Sequence, residues 1–283
     1  MELLTLEPVD YLVIGHLTRD LTPQGERLGG TAAYAALTAR ALGLRVGVLT
    51  AAADDLDLSP LDGLPLIVQS ATETTTFENR YLEDGKREQR LHARASQIDW
   101  NLLPQAWRRT PILHLGPVAA ELSPTLPPFL NFTLLGLTPQ GWMRAWDAEG
   151  RVRQRKWEEG EALLSQAGAV VISLEDVAGD EGEVERLAHQ VPILVVTEGV
   201  AGARLYWHGD PRRFRAPRVR EVDATGAGDV FAAAFFIRLY VTRDPWEAAR
   251  FATQLAAISV TRPGLEGVPT PQEIETCLME VLS

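Results

Sequence analysis

The sequence predicts an α/β protein: a central, mostly parallel sheet with helices on both faces. Three observations predict it. Short apolar runs that read as buried strands alternate with glycine-ended loops and helical segments along the chain. A length of 283 residues with 46% hydrophobic residues allows a large core, in one large domain or two small ones. Late in the chain, a small-residue turn runs directly into a long apolar helical segment, a join typical of strand–loop–helix units.

Composition excludes several classes. A net charge of −11 argues against a broad nucleic-acid-binding face. Cys277 is the single cysteine, so neither an internal disulfide nor a cysteine-based zinc site can form. The start, Met1-Glu2-Leu3-Leu4-Thr5-Leu6-Glu7, lacks a basic region, and there is no uninterrupted apolar stretch of about 18 residues. A cytoplasmic protein without nucleic-acid or membrane partners is expected. Lys86 and Lys156 are the only lysines, and neither follows a G-x-x-x-x-G-K-[ST] loop, so a P-loop is ruled out.

In chain order, Val9-Asp10-Tyr11-Leu12-Val13-Ile14-Gly15 reads as the first strand, and Asp20 follows where ligands collect at strand carboxyl ends. Gly29-Gly30 open an alanine-rich helix that contains Tyr34 and ends at Gly43. Strands are expected at 46–50 and 64–68. Thr74 to Leu82 and Arg87 to Ala93 flank Glu83-Asp84-Gly85-Lys86 as a β-hairpin, with Phe77, Asn79 and Tyr81 on one face. The link from Asp20 to Gly29 reads as too short for additional strands. Further strands are expected at 111–117, 132–137, 169–174 and 193–197. His114, inside an apolar strand, reads as a core residue. Glu121 and Gln140 follow strand ends and are candidates to reach a substrate. The charged segment 147–160 reads as a solvated loop or helix face.

The decisive stretch is Glu221-Val222-Asp223-Ala224-Thr225-Gly226-Ala227-Gly228-Asp229-Val230-Phe231. Gly226, Ala227 and Gly228 allow a tight turn with open N–H groups, and the following helix points its positive dipole end at the same spot. That suits a phosphate. Asp229 would repel a merely bound phosphate, but fits a base that deprotonates an attacking hydroxyl.

This run resembles the D-T-T-G-A-G-D signature of the ribokinase-like, or PfkB, carbohydrate kinases, with Ala224 at its second position. The resemblance implies a three-layer sandwich over residues 1–283 as a single kinase domain, with a small β-hairpin lid around 70–95. It implies ATP-dependent phosphoryl transfer to a hydroxyl of a sugar, an inositol-like cyclitol or a nucleoside. In this family Asp20, Gly30 and the position of Tyr34, usually Asn, would contact the acceptor, with Asn79 and Tyr81 from the lid; the same hairpin pattern also fits one that packs Phe77 and Tyr81 into the body. Ser173-Leu174-Glu175-Asp176 stands for the family N-x-x-E. Asp176, or Glu175, would serve Mg²⁺ through water, and Ser173 the nucleotide. Thr197, Gly199 and Gly202 resemble a T-x-G-x-x-G nucleotide loop. Small residues around Thr253 and Ala256 leave room for adenine. Asp223, Thr225 and the Val260 carbonyl form a candidate K⁺ site. A homodimer through the lid is a further expectation. The alternative is a catalytically inactive nucleotide- or sugar-binding protein of the same fold; a hydroxymethylpyrimidine-type kinase fits the pattern less well.

Overall fold

A computed structural model describes residues 6–81 and 87–278, with residues 80, 81 and 87 as backbone only. The first half contains β1 (Tyr11–Ile14), β2 (Thr18–Thr22), β3 (Gly25–Gly29), α1 (Thr31–Ala41), β4 (Val46–Ala52), β5 (Leu66–Ser70), β6 (Thr75–Tyr81), β7 (Arg87–Ala93), β8 (Arg109–Leu115) and β9 (Asn131–Leu137). Next come β10 (Arg144–Trp146), β11 (Val152–Gln154), α2 (Glu161–Leu164), β12 (Ala169–Ser173), α3 (Glu181–Gln190), β13 (Ile193–Thr197), β14 (Ala203–Trp207) and β15 (Asp210–Phe214). Three helices follow: α4 (Ala227–Thr242), α5 (Pro245–Ser259) and α6 (Pro271–Leu278).

Nine strands form the main sheet in the order β15-β14-β13-β12-β9-β8-β1-β4-β5. The pairings from β13 through to β5 are parallel; β14 alone runs in the opposite direction, antiparallel to both β13 and β15. The alternation of strand side chains divides the core between two faces. Tyr11 and Val13 of β1 pack with α1, α4 and α5, whereas Leu12 and Ile14 join the opposite cluster with Trp107, Trp142, Trp157 and Leu187. Helix α4 is buried on nearly every side, from Val230 to Leu239, which is why its sequence shows so little amphipathic alternation. The chain lays β4 and β5 on one side of β1 and then returns with β8 on the other. The carboxyl ends of β1 and β8 therefore flank a topological switch point, where such sheets bind ligands.

A second sheet has the order β3-β2-β6-β7. The expectation that the segment from Asp20 to Gly29 holds no extra strands is corrected here. Two residues, Pro23 and Gln24, suffice to reverse the chain between β2 and β3, and the Thr22 hydroxyl donates to the Gly25 carbonyl across the turn. The hairpin tip at 82–86 lies outside the described residues. Phe77 of β6 is buried with Leu91, Val118 and Ala119, against Trp146 and Val152. The charged segment at 147–160, read as a solvated loop or helix, in fact includes one strand of the β10–β11 hairpin.

Candidate active site

A cavity of about 600 Å³ opens where the strand ends, the second sheet and the start of α4 meet, a size suited to small ligands. One end is polar and is walled by Thr18, Asp20, Gly30, Asn79, Gln89 and Arg144, with Phe77 and Val118 adding an apolar surface. The other is walled by the 173–176 and 197–202 loops, residues 216–219 and the Thr253–Ala256–Val260 side of α5. Gly226, Gly228 and Asp229 also line this cavity.

Gly226 caps α4 with φ 79°, in the left-handed region where glycine carries no steric cost. The ring of Tyr34 lies directly against it: a Cβ added to Gly226 would stand 2.2 Å from Tyr34 Cε1. Tyr34 thus supports the turn through its ring, and it also lines the cavity, where an acceptor contact is expected of it. Of the three amides expected to be open, those of Gly226 and Gly228 have no partner among the described residues. The Ala227 N–H is turned inward, donating to the Ala224 carbonyl at 3.2 Å, because the turn closes on itself there.

Asp229 sits in the first turn of α4, and Thr31 Oγ1 donates to its Oδ1 at 2.7 Å. The carboxyl lies deep in the protein yet still reaches the cavity. Burial pushes its pKa up to about 6, and Asp176 and Asp20 push the same way; the Thr31 hydrogen bond and the Arg144 charge hold it down. A carboxyl so placed is half-ionised at about pH 6 and mostly ionised at neutrality, as a general base requires.

Asp20 accepts from the Thr18 hydroxyl at 2.8 Å. It owes its place to Gly29 on the paired strand, since a Cβ there would stand 2.2 Å from Asp20 Oδ2. Asn79 Oδ1 accepts from Gln89 across the β6–β7 pair. Tyr81, expected beside them, has its side chain outside the described residues. Glu121 is corrected: fully buried, its carboxylate receives the backbone N–H groups of His16, Val118 and Ala119 and braces the loops beneath the cavity. His114 is a core residue as expected. It bonds to Tyr11 and Thr138, and burial lowers its pKa to about 3.

At the far end, Asp176 accepts the Ser173 N–H on one oxygen and the Gln140 side-chain amide on the other. Each oxygen keeps a lone pair, and Glu175 beside it is exposed. Hard anionic oxygens of this kind fit Mg²⁺ held through water, although no cluster of three or more His, Cys, Asp or Glu side chains occurs among the described residues. Thr197 bonds weakly to the Ile172 carbonyl, and Gly199 and Gly202 close the short turn after β13. The Thr253 hydroxyl is bonded back to Ala249, so α5 offers this wall no free hydroxyl there, and Ala256 adds only a methyl.

The K⁺ expectation is not met at Val260. Its carbonyl already accepts the Val222 and Asp223 N–H groups, which uses both lone pairs. Burial raises the Asp223 carboxyl, but the donors at Thr225 and Gly264 together with Arg27, 3.6 Å away, hold it below the usual carboxylate value.

Arg144, Gln89 and Thr31 were not singled out by sequence. Arg144 ends the stretch after a strand, just before the charged segment 147–160, and Gln89 becomes visible only once the β6–β7 register pairs it with Asn79. Thr31 follows a glycine pair whose partner lies 198 residues away.

Residues 157–272 match the model of the pfkB family carbohydrate kinases. The chain is 24% identical to the probable chloroplastic fructokinase-6 of Arabidopsis thaliana over 66% of its own length and 53% of that protein's. It is 29% identical to inositol 3-kinase of Oryza sativa over 94% of its own length and 71% of the relative's. Among solved structures, it superposes with a TM-score of 0.76 at 22% identity on a pyrophosphate-dependent kinase of the ribokinase family complexed with a pyrophosphate analog and myo-inositol, covering 94% of this chain and 99% of that one. The matched residues 157–272 include the far wall of the cavity, the glycine turn and Asp229, and over them the chain is similar to the pfkB family carbohydrate kinases; the architecture as a whole is the ribokinase fold.

Proposed function

We propose that the chain transfers the terminal phosphoryl group of ATP to a hydroxyl of a small polyol, an inositol-like cyclitol or a sugar. The placement of Asp229 carries this reading: a carboxyl with a pKa near neutrality, at the start of a helix, beside the unpartnered amides of Gly226 and Gly228. Thr31 occupies one carboxylate oxygen, and the other takes the proton of the acceptor hydroxyl. The acceptor's hydroxyl oxygen, so deprotonated, attacks the terminal phosphorus, the bond to the bridging oxygen breaks, and ADP leaves with its electron pair. The two glycine amides donate to the charged phosphoryl oxygens; loss of one donor of this kind costs about 3–4 kcal/mol.

Acceptor hydroxyls meet Asp20, Asn79 and Gln89, and Phe77 offers an apolar surface to the ring carbons. The second sheet, which supplies Asp20, Phe77, Asn79 and Gln89, serves as the lid of a single domain. At the donor end the small side chains of α5 leave room for adenine, and Arg218 in the wall has no ion-pair partner among the described residues. Asp176 and Glu175 would hold Mg²⁺ through water, and the ion would neutralise donor phosphate charge. Pyrophosphate, the donor of the solved relative, is the alternative donor.

The test is a panel of myo-inositol, fructose, ribose and nucleosides with ATP or pyrophosphate and Mg²⁺, the products identified by ³¹P NMR. A phosphorylated alcohol that Asp229→Asn no longer makes supports the proposal. A folded chain that binds ATP and phosphorylates none of them is instead a nucleotide- or sugar-binding protein.

A further inference from the structure

We infer that Thr31 is a positioning residue that fixes which oxygen of Asp229 faces the cavity, acting through one hydrogen bond and one packed methyl group. The inference rests on Asp229 as the base. Thr31 is the first residue of α1, directly after Gly30, and is buried. Its Oγ1 donates to Asp229 Oδ1 at 2.7 Å. Its methyl rests against the backbone of Gly116 at the end of β8, where a Cβ would stand only 2.3 Å from Thr31 Cγ2. A β-branched side chain is stiff about χ1. Turning the hydroxyl away from Asp229 would therefore carry the methyl out of its seat on Gly116. The two contacts hold each other, so Oδ1 stays engaged and Oδ2 is left for the proton.

A donor at this place favours the ionised carboxylate. The other groups that face Asp229 are Arg144 from β10, which also favours the anion, and Asp176 and Asp20, which oppose it. Tyr11 from β1 and Tyr34 from α1 are buried phenols near the same charge. The Thr31 hydrogen bond is the strongest of the influences that counter burial. Because Gly30 lines the acceptor end, the turn that shapes that wall also aims the base.

Two variants of the full chain test this. Thr31→Val keeps the shape and the methyl but removes the donor; Thr31→Ser keeps the donor and removes the methyl. The titration of Asp229 is read without substrate by carboxylate infrared spectroscopy, with Asp229→Asn as the reference, alongside the pH profile of myo-inositol phosphorylation by ATP. Thr31→Val should raise the Asp229 titration by about one unit, the scale of a hydrogen bond to a charged group. It should lower kcat at neutral pH roughly tenfold, with the acceptor KM nearly unchanged. Thr31→Ser should titrate like the parent, with a smaller loss of kcat. A Thr31→Val chain whose Asp229 titrates as in the parent overturns the inference. If Asp229→Asn retained full turnover, the base assignment would fail, while the infrared titration would still report on the Thr31 contact.

Discussion

The ring of Tyr34 fills the space that any side chain on Gly226 would need. The two residues lie 192 positions apart, on α1 and at the cap of α4, and each dictates the size of the other. Gly226→Ala combines a left-handed backbone with a clash against a buried ring. Together these should destabilise the fold by about 2–4 kcal/mol and reduce turnover at least about 100-fold by displacing the amides. Thermal unfolding and steady-state rates check both, and an Ala variant with the parent's melting point and kcat would contradict the packing described.

Asp229→Asn preserves shape and removes the proposed base. The kcat is expected to fall by about 10²–10⁴-fold, with donor KM little altered. Rates on the acceptor identified by the panel decide this, and a change below threefold would remove Asp229 from the chemistry.

The pH dependence follows from the same group. Its carboxyl titrates at about 6 in the folded chain, against an ordinary 3.8. If Asp229 is the base proposed it must be ionised to act, so kcat/KM should decline roughly tenfold per unit below about pH 6. For stability the sign is opposite to that of a salt-bridged carboxylate. The folded chain holds this proton more tightly than the unfolded chain, so the associated stabilisation is complete below about 3.8 and is lost as pH rises through about 6. Asp229→Asn should therefore melt higher than the parent at pH 8 and gain less, or nothing, at pH 4, as calorimetry would show.

Asp176 is held by the Ser173 N–H and the Gln140 amide, neither of which neutralises its charge. Asp176→Asn should weaken apparent Mg²⁺ activation by about 10–100-fold, the usual effect of losing a water-mediated partner. A magnesium titration of the rate tests it, and an unchanged half-saturation point would assign the metal elsewhere.

Arg218 stands in the donor wall of an otherwise acidic protein. Arg218→Gln should raise the donor KM several-fold at low salt, with the difference shrinking at high ionic strength as screening takes over. Donor KM measured across a salt series checks the prediction, and parallel curves for the two proteins would refute it.

The parallel sheet was legible because each of its strands is a short apolar run of its own, so local pattern and global fold agree. The glycine turn and Asp229 were legible because backbone geometry and charge act within a few residues. Three features escaped local reading. The β2–β3 hairpin hides in residues such as Thr18, Asp20 and Arg27, which are not apolar, and its turn lacks an Asn-Gly signal. Glu121 looks like a surface acid until three backbone amides from two loops converge on it. The Val260 carbonyl could be judged as a cation ligand only after its own hydrogen bonds were known. Each of the last two depends on contacts between distant segments, which spacing along a chain does not encode.

Helix α4 carries Asp229 on a shaft whose middle, from Val230 to Leu239, is buried. Elements packed in this way open only when the whole molecule opens. On heating, catalytic competence should therefore survive to the edge of global melting, with no earlier step at which the reactive acid drifts out of aim.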